Sequence, residues 1–232
     1  MPILPRINFR GLYDRFDAPV TDIDCGAMCA PYNLTGKPFC CDICQAVPAA
    51  YISEWRYLRE NTDLWREWSA DACEPAERAD PGEYENLRES TPGTMLLLAC
   101  KGPHACQRNY RALSCRQFPF FPYITSDGRF IGLAYEWAFE QACWVISNLS
   151  RVSEQYRSQF IAAYDDLFNQ WPDEMESYAA LSEEMREHFA EDRRRIPILH
   201  RRGGWYLLSP VSERITKTVP QRLPRFGPYR NM

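Results

Sequence analysis

Residues 25–44, CGAMCAPYNLTGKPFCCDIC, place five cysteines within twenty positions, and the interpretation of the whole chain starts from them. The glycines, prolines and Asn33 of this stretch favour turns over a packed helix. A turn-rich segment with little hydrogen bonding of its own needs something to hold its shape, and a bound metal would supply it. The sequence therefore predicts a loop that is ordered by metal.

A second cysteine segment runs from Cys100 to Cys115, and Cys143 follows 28 residues later. We predict that the clustered cysteines are thiolate ligands of a metal: Cys25, Cys29, Cys40, Cys41, Cys44, Cys100, Cys106, Cys115 and Cys143. Cys73 lies in an acidic stretch away from both segments, so we expect it to be an uncoordinated thiol. Because the chain has only three histidines, an all-thiolate set is favoured. Such a set fits zinc and an iron–sulfur cluster equally well.

The rest of the composition indicates an ordinary globular chain in a reducing compartment. The longest strongly apolar uncharged run is residues 94–100, far short of the roughly 20 residues that a membrane span needs. The first residues carry no apolar signal segment, so we expect a cytoplasmic protein with no membrane association. Thiols in the cytosol stay reduced unless a metal holds them, which agrees with metal binding.

The cysteine motifs are similar to those of a known family. The run Cys25-x3-Cys29, the pair Cys40-Cys41, and the distal set Cys100, Cys106 and Cys115-Arg-Gln-Phe-Pro resemble the YkgJ-type cysteine-cluster family. That family is described as a zinc- or iron-chelating domain, and the resemblance covers roughly residues 20–150. The related flagellin lysine N-methylases imply an iron–sulfur cluster that works with S-adenosylmethionine. The family has Arg-Pro where this chain has Arg111-Ala112.

Arg116 directly follows the distal cysteine, and we assign it a cofactor-binding role. An arginine at this position either offsets thiolate charge or pairs with a nearby acid, and the sequence favours neither alternative. No Gly-x-Ser-x-Gly, Walker loop or His-Glu-x-x-His motif is present, so hydrolase and nucleotide-binding functions have no support. No catalytic residue is assigned.

Hydrophobic periodicity predicts the remaining elements. Tyr51, Trp55 and Leu58 begin a helical stripe that we extend to about residue 70, and residues 94–99 are predicted to form a buried strand. Asp127-Gly128 between two aromatic runs predicts a β-hairpin. Further predictions are an irregular segment at 1–24, a surface loop with one short helix at 71–92, a helix at 136–149, a helical hairpin broken at 171–173, and a β-hairpin of 196–199 with 205–208.

Charge is distributed unevenly along the chain. Residues 193–232 contain ten Lys or Arg and one acid, Glu213, whereas the preceding residues hold 17 basic and 30 acidic side chains. A basic end either contacts the acidic body of the same chain or recruits an acidic protein or nucleic acid. No known nucleic-acid-binding module surrounds these residues.

These observations predict an α+β fold, with a small metal-organised cysteine-rich core and a β-hairpin followed by a C-terminal helical hairpin. The expected domains are a cysteine-cluster metal-binding domain at 1–150, a helical hairpin with a short β-hairpin at 151–208, and a basic Pro-rich tail at 209–232 that runs over the surface. The expected function is binding of an iron–sulfur cluster or zinc. The alternatives are a cluster-dependent enzyme, either lysine N-methyltransferase-like or electron-transferring, and a partner-binding module that uses the basic tail.

Overall fold

The computed structural model describes residues 7–69, 73 and 81–230 of the chain. The fold is α+β and contains two compact units. The first unit is formed by the chain up to Asp17 and by Gly26–Gln117, and the second by Ala18–Cys25 and the chain from Phe118 onward. The first unit ends at Gln117, within the distal motif Cys115-Arg-Gln-Phe-Pro.

The first unit contains short helices around a small antiparallel sheet. Its helices are α1 (Phe9–Arg15), α3 (Ile52–Asn61), α4 (Pro81–Ser90) and α5 (Leu113–Gln117), and its strands are β1 (Ala49–Tyr51), β2 (Trp65–Glu67) and β3 (Met95–Cys100). A further short helix, α2 (Cys25–Cys29), lies where the chain passes between the two units. The strand order is β1-β3-β2, so β3 is central and carries the fully buried Leu98.

The second unit is built on a five-stranded antiparallel sheet of order β4-β5-β6-β7-β8. The strands are β4 (Phe120–Ile124), β5 (Phe130–Tyr135), β6 (Ile196–His200), β7 (Trp205–Leu208) and β8 (Ile215–Thr218). Two long helices, α6 (Glu154–Gln170) and α7 (Pro172–Glu191), join β5 to β6 and pack their aromatic faces into the core. Ser153 caps α6 by accepting the N–H of Tyr156 at 3.1 Å.

Strong local signals are confirmed by the structure. Asp127-Gly128 forms the turn between β4 and β5, with Gly128 at φ +78°, a conformation that glycine adopts without steric penalty. The strand predicted at 94–99, the helical hairpin and the hairpin of β6 with β7 are all present. The start of α3 is also confirmed.

Three predictions of secondary structure are wrong. The helical stripe ends at Asn61, and Trp65 pairs with Cys100 in a strand, because the backbone of β3 offers hydrogen bonds that helix propensity does not outweigh. Residues 136–149 form 3₁₀ turns and no α-helix, and Cys143 lies between these turns. The irregular segment expected at 1–24 contains α1, capped by the Asn8 side chain. The short helix predicted within 71–92 is present as α4, whereas residues 71–72 and 74–80 of that stretch lie outside the described residues.

The Pro-rich end is part of the second unit and not only a surface tail. Its strand β8 pairs with β7, with Leu208 opposite Ile215. Tyr229 is fully buried and donates its hydroxyl to the carbonyl of Ala142 at 3.0 Å. The aromatic side chains of this end therefore fill the core, although its arginines remain at the surface.

None of the described helices combines the length and apolar character needed to cross a membrane. The longest, α7, carries charged residues along its whole length.

Candidate functional site

Four cysteine thiols of the first unit approach one another from separate segments of the chain. Cys41 ends a 3₁₀ turn, Cys100 ends strand β3, Cys106 lies in the loop after it, and Cys115 is on α5. Burial, and then negative charge on Cys100 or Cys41, raise the pKa of the Cys115 thiol well above its usual range. Burial also raises the pKa of Cys100, and charge on Cys41 or Cys106 raises it further. Cys100 therefore lies within electrostatic range of Cys41 and Cys106, and Cys115 within range of Cys100 and Cys41. We call Cys41, Cys100, Cys106 and Cys115 the thiol cluster.

Arg111 is the cation of this cluster. Its Nε donates to the sulfur of Cys106 at 3.3 Å. Burial opposes the charge of the guanidinium, but the hydrogen bond to Cys106 and the nearby Cys115 and Cys41 raise the pKa of Arg111 above its ordinary value. A single guanidinium compensates one thiolate, so further thiolates in the cluster need a further cation.

A cavity of about 510 Å³ opens onto the thiol cluster. Cys41 and Cys100 form part of its wall, and apolar side chains such as Trp65 form another part. Its other lining residues include four basic side chains and one acid: Lys37, Arg66, Lys101, His104 and Asp63. Since Asp63 forms an exposed ion pair with Lys101 at 2.5 Å, the remaining charge around the cavity is positive.

Glu54 fixes the helix that carries Cys115. Its fully buried carboxylate accepts the N–H of Leu113 at 2.6 Å at the start of α5, the N–H of Tyr51 at 3.3 Å, and the hydroxyl of Tyr13. Burial raises the pKa of Glu54 from 4.5 to about 7, against the lowering effect of these hydrogen bonds and of Arg116. Glu54 therefore links three helices of the first unit and sets the position of Cys115.

Arg116, for which we predict a cofactor-binding role, connects the α1 region with the loop before α5. Its guanidinium lies 4.1 Å from the centre of the Tyr13 ring. It also donates to backbone carbonyl oxygens of the α1 region and of the loop before α5, namely those of Tyr13, Phe16, Arg108, Asn109 and Arg111. Burial lowers the pKa of Arg116, and the neighbouring Tyr13 and Glu54 oppose that effect. Charge on Glu54 and on Asp17 acts to raise the pKa of Arg116, so acids lie near its guanidinium, as the second alternative, pairing with a nearby acid, expects.

A buried carboxylate, Asp42, orders the first cysteine segment. It accepts hydrogen bonds from the Thr35 hydroxyl at 2.7 Å, the Asn33 amide at 3.0 Å and the Cys44 N–H at 3.2 Å. Burial alone would raise the pKa of Asp42, but these hydrogen bonds outweigh it and hold the pKa below its ordinary value. The premise that this loop has little hydrogen bonding of its own is therefore wrong, since Asp42 supplies that bonding.

The other predicted cysteine ligands lie outside the thiol cluster. Cys44 forms a disulfide with Cys73, with a Cα–Cα distance of 5.7 Å, so Cys73 is not the uncoordinated thiol we expected. A sulfur in a disulfide offers no thiolate to a metal. Cys29 donates its thiol to the Gly26 carbonyl at 3.5 Å, and Cys40 precedes Cys41 on the same 3₁₀ turn. Cys25 and Cys143 belong to the second unit.

Across residues 7–69, 73 and 81–230, no three His, Cys, Asp or Glu side chains come together closely enough to hold a metal ion. The thiol cluster brings its sulfurs into one region without a complete coordination shell.

Sequence reasoning missed two residues of this site. Arg111 was noted only as the place where the family has Arg-Pro, yet an arginine five residues after Cys106 is within reach of that thiol. Glu54 gave one local signal, its position three residues after Tyr51, the N-cap of α3, where a carboxylate caps the helix by accepting an N–H. Its contact with Leu113, 59 residues away, depends on the tertiary fold.

The chain was compared with protein families, curated proteins and solved structures, and it matches none of them.

Proposed function

We propose that this protein binds zinc or an iron–sulfur cluster through the thiols of Cys41, Cys100, Cys106 and Cys115. The observation that carries the proposal is the approach of these four thiols from separate segments of the first unit, with a single guanidinium to compensate their charge. Four thiolates are the ligand number that both zinc and iron–sulfur clusters use. The similarity of the cysteine motifs to the YkgJ-type family supports the same proposal.

Electrostatics explain why a metal would fit here. Without a cation, each thiolate opposes the ionisation of its neighbours, and burial opposes it further. A divalent metal reverses both effects, because coordinated cysteines lose their protons. Glu54 and β3 hold the backbone of Cys115 and Cys100, so two of the proposed ligands are carried by well-anchored segments.

The experiment is anaerobic purification of the full chain, followed by metal analysis and a visible spectrum. We expect stoichiometric zinc in a colourless protein, or iron with acid-labile sulfide in a brown one. Cys100→Ala and Cys115→Ala should each lose the metal, whereas the control Ser90→Ala, an exposed change at the end of α4 in the same unit, should keep it. A wild-type protein without zinc or iron contradicts the proposal, as does loss of metal from the control but not from the cluster variants.

A cluster-dependent enzyme is the second candidate, and the cavity beside Cys41 and Cys100 favours it. A scaffold role needs no open space next to the thiols, whereas an enzyme needs room for a substrate or co-substrate. A basic side chain of the cavity wall, such as Lys37, would pair with the carboxylate of S-adenosylmethionine, the co-substrate that the related methylases use.

Thermal unfolding with S-adenosylmethionine tests this second candidate. We expect the ligand to raise the Tm of the wild type and of Arg59→Gln, an exposed change outside the cavity. Lys37→Gln, which removes a positive charge from the cavity wall, should reduce the shift. The absence of any shift in metal-loaded wild type argues against this candidate and leaves metal binding untouched.

A further inference from the structure

We propose that the cleft at the turn between β6 and β7 binds the phosphate group of a small molecule. The cleft has a volume of about 660 Å³ and lies within the second unit, so it is separate from the thiol cluster. It is lined by three arginines, one histidine and two apolar residues: Arg129, Arg201, Arg202, His200, Phe130 and Ile131. No acidic side chain is part of this lining.

Close packing of β5 against β6 connects the two segments that line the cleft. Strands β5 and β6 approach closely at Gly132, where a Cβ atom would lie 2.3 Å from the carbonyl oxygen of Leu199. The N–H of Arg201 donates to the carbonyl of Ile131 at 2.9 Å, which ties the β6–β7 turn to β5. Only glycine at position 132 permits this approach of the two strands. The approach sets the distance between the β6–β7 turn and the residues of β5 that line the cleft.

The guanidinium of Arg201 is fixed in place before any ligand arrives. Its Nη1 donates to the carbonyl of Phe130 at 3.0 Å, its Nη2 forms an ion pair with Asp165 at 2.7 Å, and its Cζ lies 5.2 Å from the centre of the Phe130 ring. An arginine has five N–H donors, so three remain after these two bonds. A donor held in advance loses little side-chain entropy on binding an anion.

The other two arginines supply charge and donors at the rim. Arg129 uses its Nε to bind Asp127 at 2.7 Å, which leaves its two terminal nitrogens for a ligand. Arg202 is exposed, and among the described residues no carboxylate lies within ion-pair distance of it. Three guanidinium groups against two carboxylates leave a net positive charge at the cleft, as a phosphate requires.

His200 adds a neutral hydrogen-bond donor. Its Nδ1 accepts the N–H of Arg202 at 3.1 Å, so the proton of the neutral ring is on Nε2. Partial burial, and then Arg202, Arg201 and Arg157, lower the pKa of His200, which keeps the ring neutral near pH 7. The ring packs against Tyr206 with 4.8 Å between centroids, and this contact fixes its orientation. A phosphate in the cleft would therefore meet guanidinium donors and one imidazole donor.

The apolar lining points to a phosphate ester over free phosphate. Phe130 and Ile131 line the cleft and offer a surface for the organic part of a ligand. The six lining residues lie at the start of β5 and at the β6–β7 turn, so the cleft is small. A small molecule fits such a cleft better than a nucleic-acid strand, which binds along a continuous basic groove.

The test is calorimetric titration of the full chain with phenyl phosphate, with inorganic phosphate as a parallel arm. We expect one phenyl phosphate per chain, with an affinity that falls at higher NaCl concentration. Arg202→Gln and Arg129→Gln should each weaken binding about tenfold. Arg195→Gln is the matched control, because Arg195 is an exposed arginine of the same unit that does not line the cleft. Its affinity should equal that of the wild type.

The relative affinities of the two probes and of the variants identify the ligand of the cleft. Equal affinity for inorganic phosphate identifies free phosphate as the ligand and removes the role of the apolar wall. No saturable binding of either probe at millimolar concentration overturns the proposal, and so does equal weakening by Arg202→Gln and Arg195→Gln. A single-stranded oligonucleotide that binds and is not displaced by phenyl phosphate would show that the basic surface serves nucleic acid instead.

Discussion

Single buried carboxylates organise the first unit, and Glu54 and Asp42 do so with opposite electrostatic consequences. Asp42 is surrounded by donors that stabilise its ionised form, so its pKa is lowered. Glu54 is buried so completely that desolvation outweighs its three hydrogen bonds, and its pKa rises to about 7. Two acids of nearly equal intrinsic strength therefore affect stability in opposite directions as the pH changes.

Glu54→Gln tests the electrostatic part of this description. Between pH 4.5 and 7 the folded protein binds more protons at Glu54 than the unfolded chain does, so this residue's contribution to stability falls as the pH rises. We expect the free energy of unfolding of wild type, relative to Glu54→Gln, to fall by about 3 kcal/mol between pH 4.5 and pH 8. Urea unfolding at several pH values measures it.

The control for this experiment is Asn61→Ala, which changes an exposed residue without a titratable group at the end of the same helix. Its difference from wild type should stay nearly constant over the same pH range. A Glu54→Gln difference that is equally constant would mean that Glu54 is ionised throughout, and that burial does not raise its pKa.

At the scale of elements, the C-terminal end completes the second unit. Strand β8 extends the sheet by pairing with β7, and Phe226 and Tyr229 are buried beyond it. The Ser147 hydroxyl accepts the N–H of Phe226 at 2.8 Å, which fastens this end to the 3₁₀ turn after Cys143. The C-terminal segment therefore carries both exposed arginines and buried aromatic side chains.

Removal of the C-terminal residues tests whether they belong to the folded core of the second unit. We expect a chain that ends at Ser209 to have a much lower Tm than the full chain, because it loses a strand and two buried aromatic side chains. A chain that ends at Arg230 is the control and should unfold at the wild-type temperature. If both truncated chains unfold like the wild type, residues 210–230 do not belong to the core.

At the scale of the whole molecule, the Cys44–Cys73 disulfide closes a loop with a sequence separation of 29. A cross-link of that length restricts the unfolded chain and stabilises the fold by about 3 to 4 kcal/mol. Reduced thiols were expected throughout, so the oxidation state of this pair bears on the environment in which the chain folds.

Reduction of the purified protein tests the contribution of this disulfide. We expect a phosphine reductant to lower the Tm of the wild type, and to have no further effect on Cys73→Ser, which lacks the disulfide from the start. Mass spectrometry after alkylation without reduction should find Cys44 and Cys73 protected in the wild type. Alkylation of both residues in the unreduced protein would contradict the disulfide.

The sequence by itself determined the elements whose signals are local: the hairpin at Asp127-Gly128, strand β3, the helices α6 and α7, and the hairpin of β6 with β7. Each depends on periodicity or turn chemistry within a few residues, which the chain carries wherever it lies. Only the tertiary structure decided that Trp65 joins a strand, and that Cys44 pairs with Cys73 while Cys41 approaches Cys100 and Cys115. It also decided that Arg111 donates a hydrogen bond to the sulfur of Cys106. Such pairings join residues far apart in sequence, so they depend on how the whole unit packs and leave no signal in the neighbouring residues.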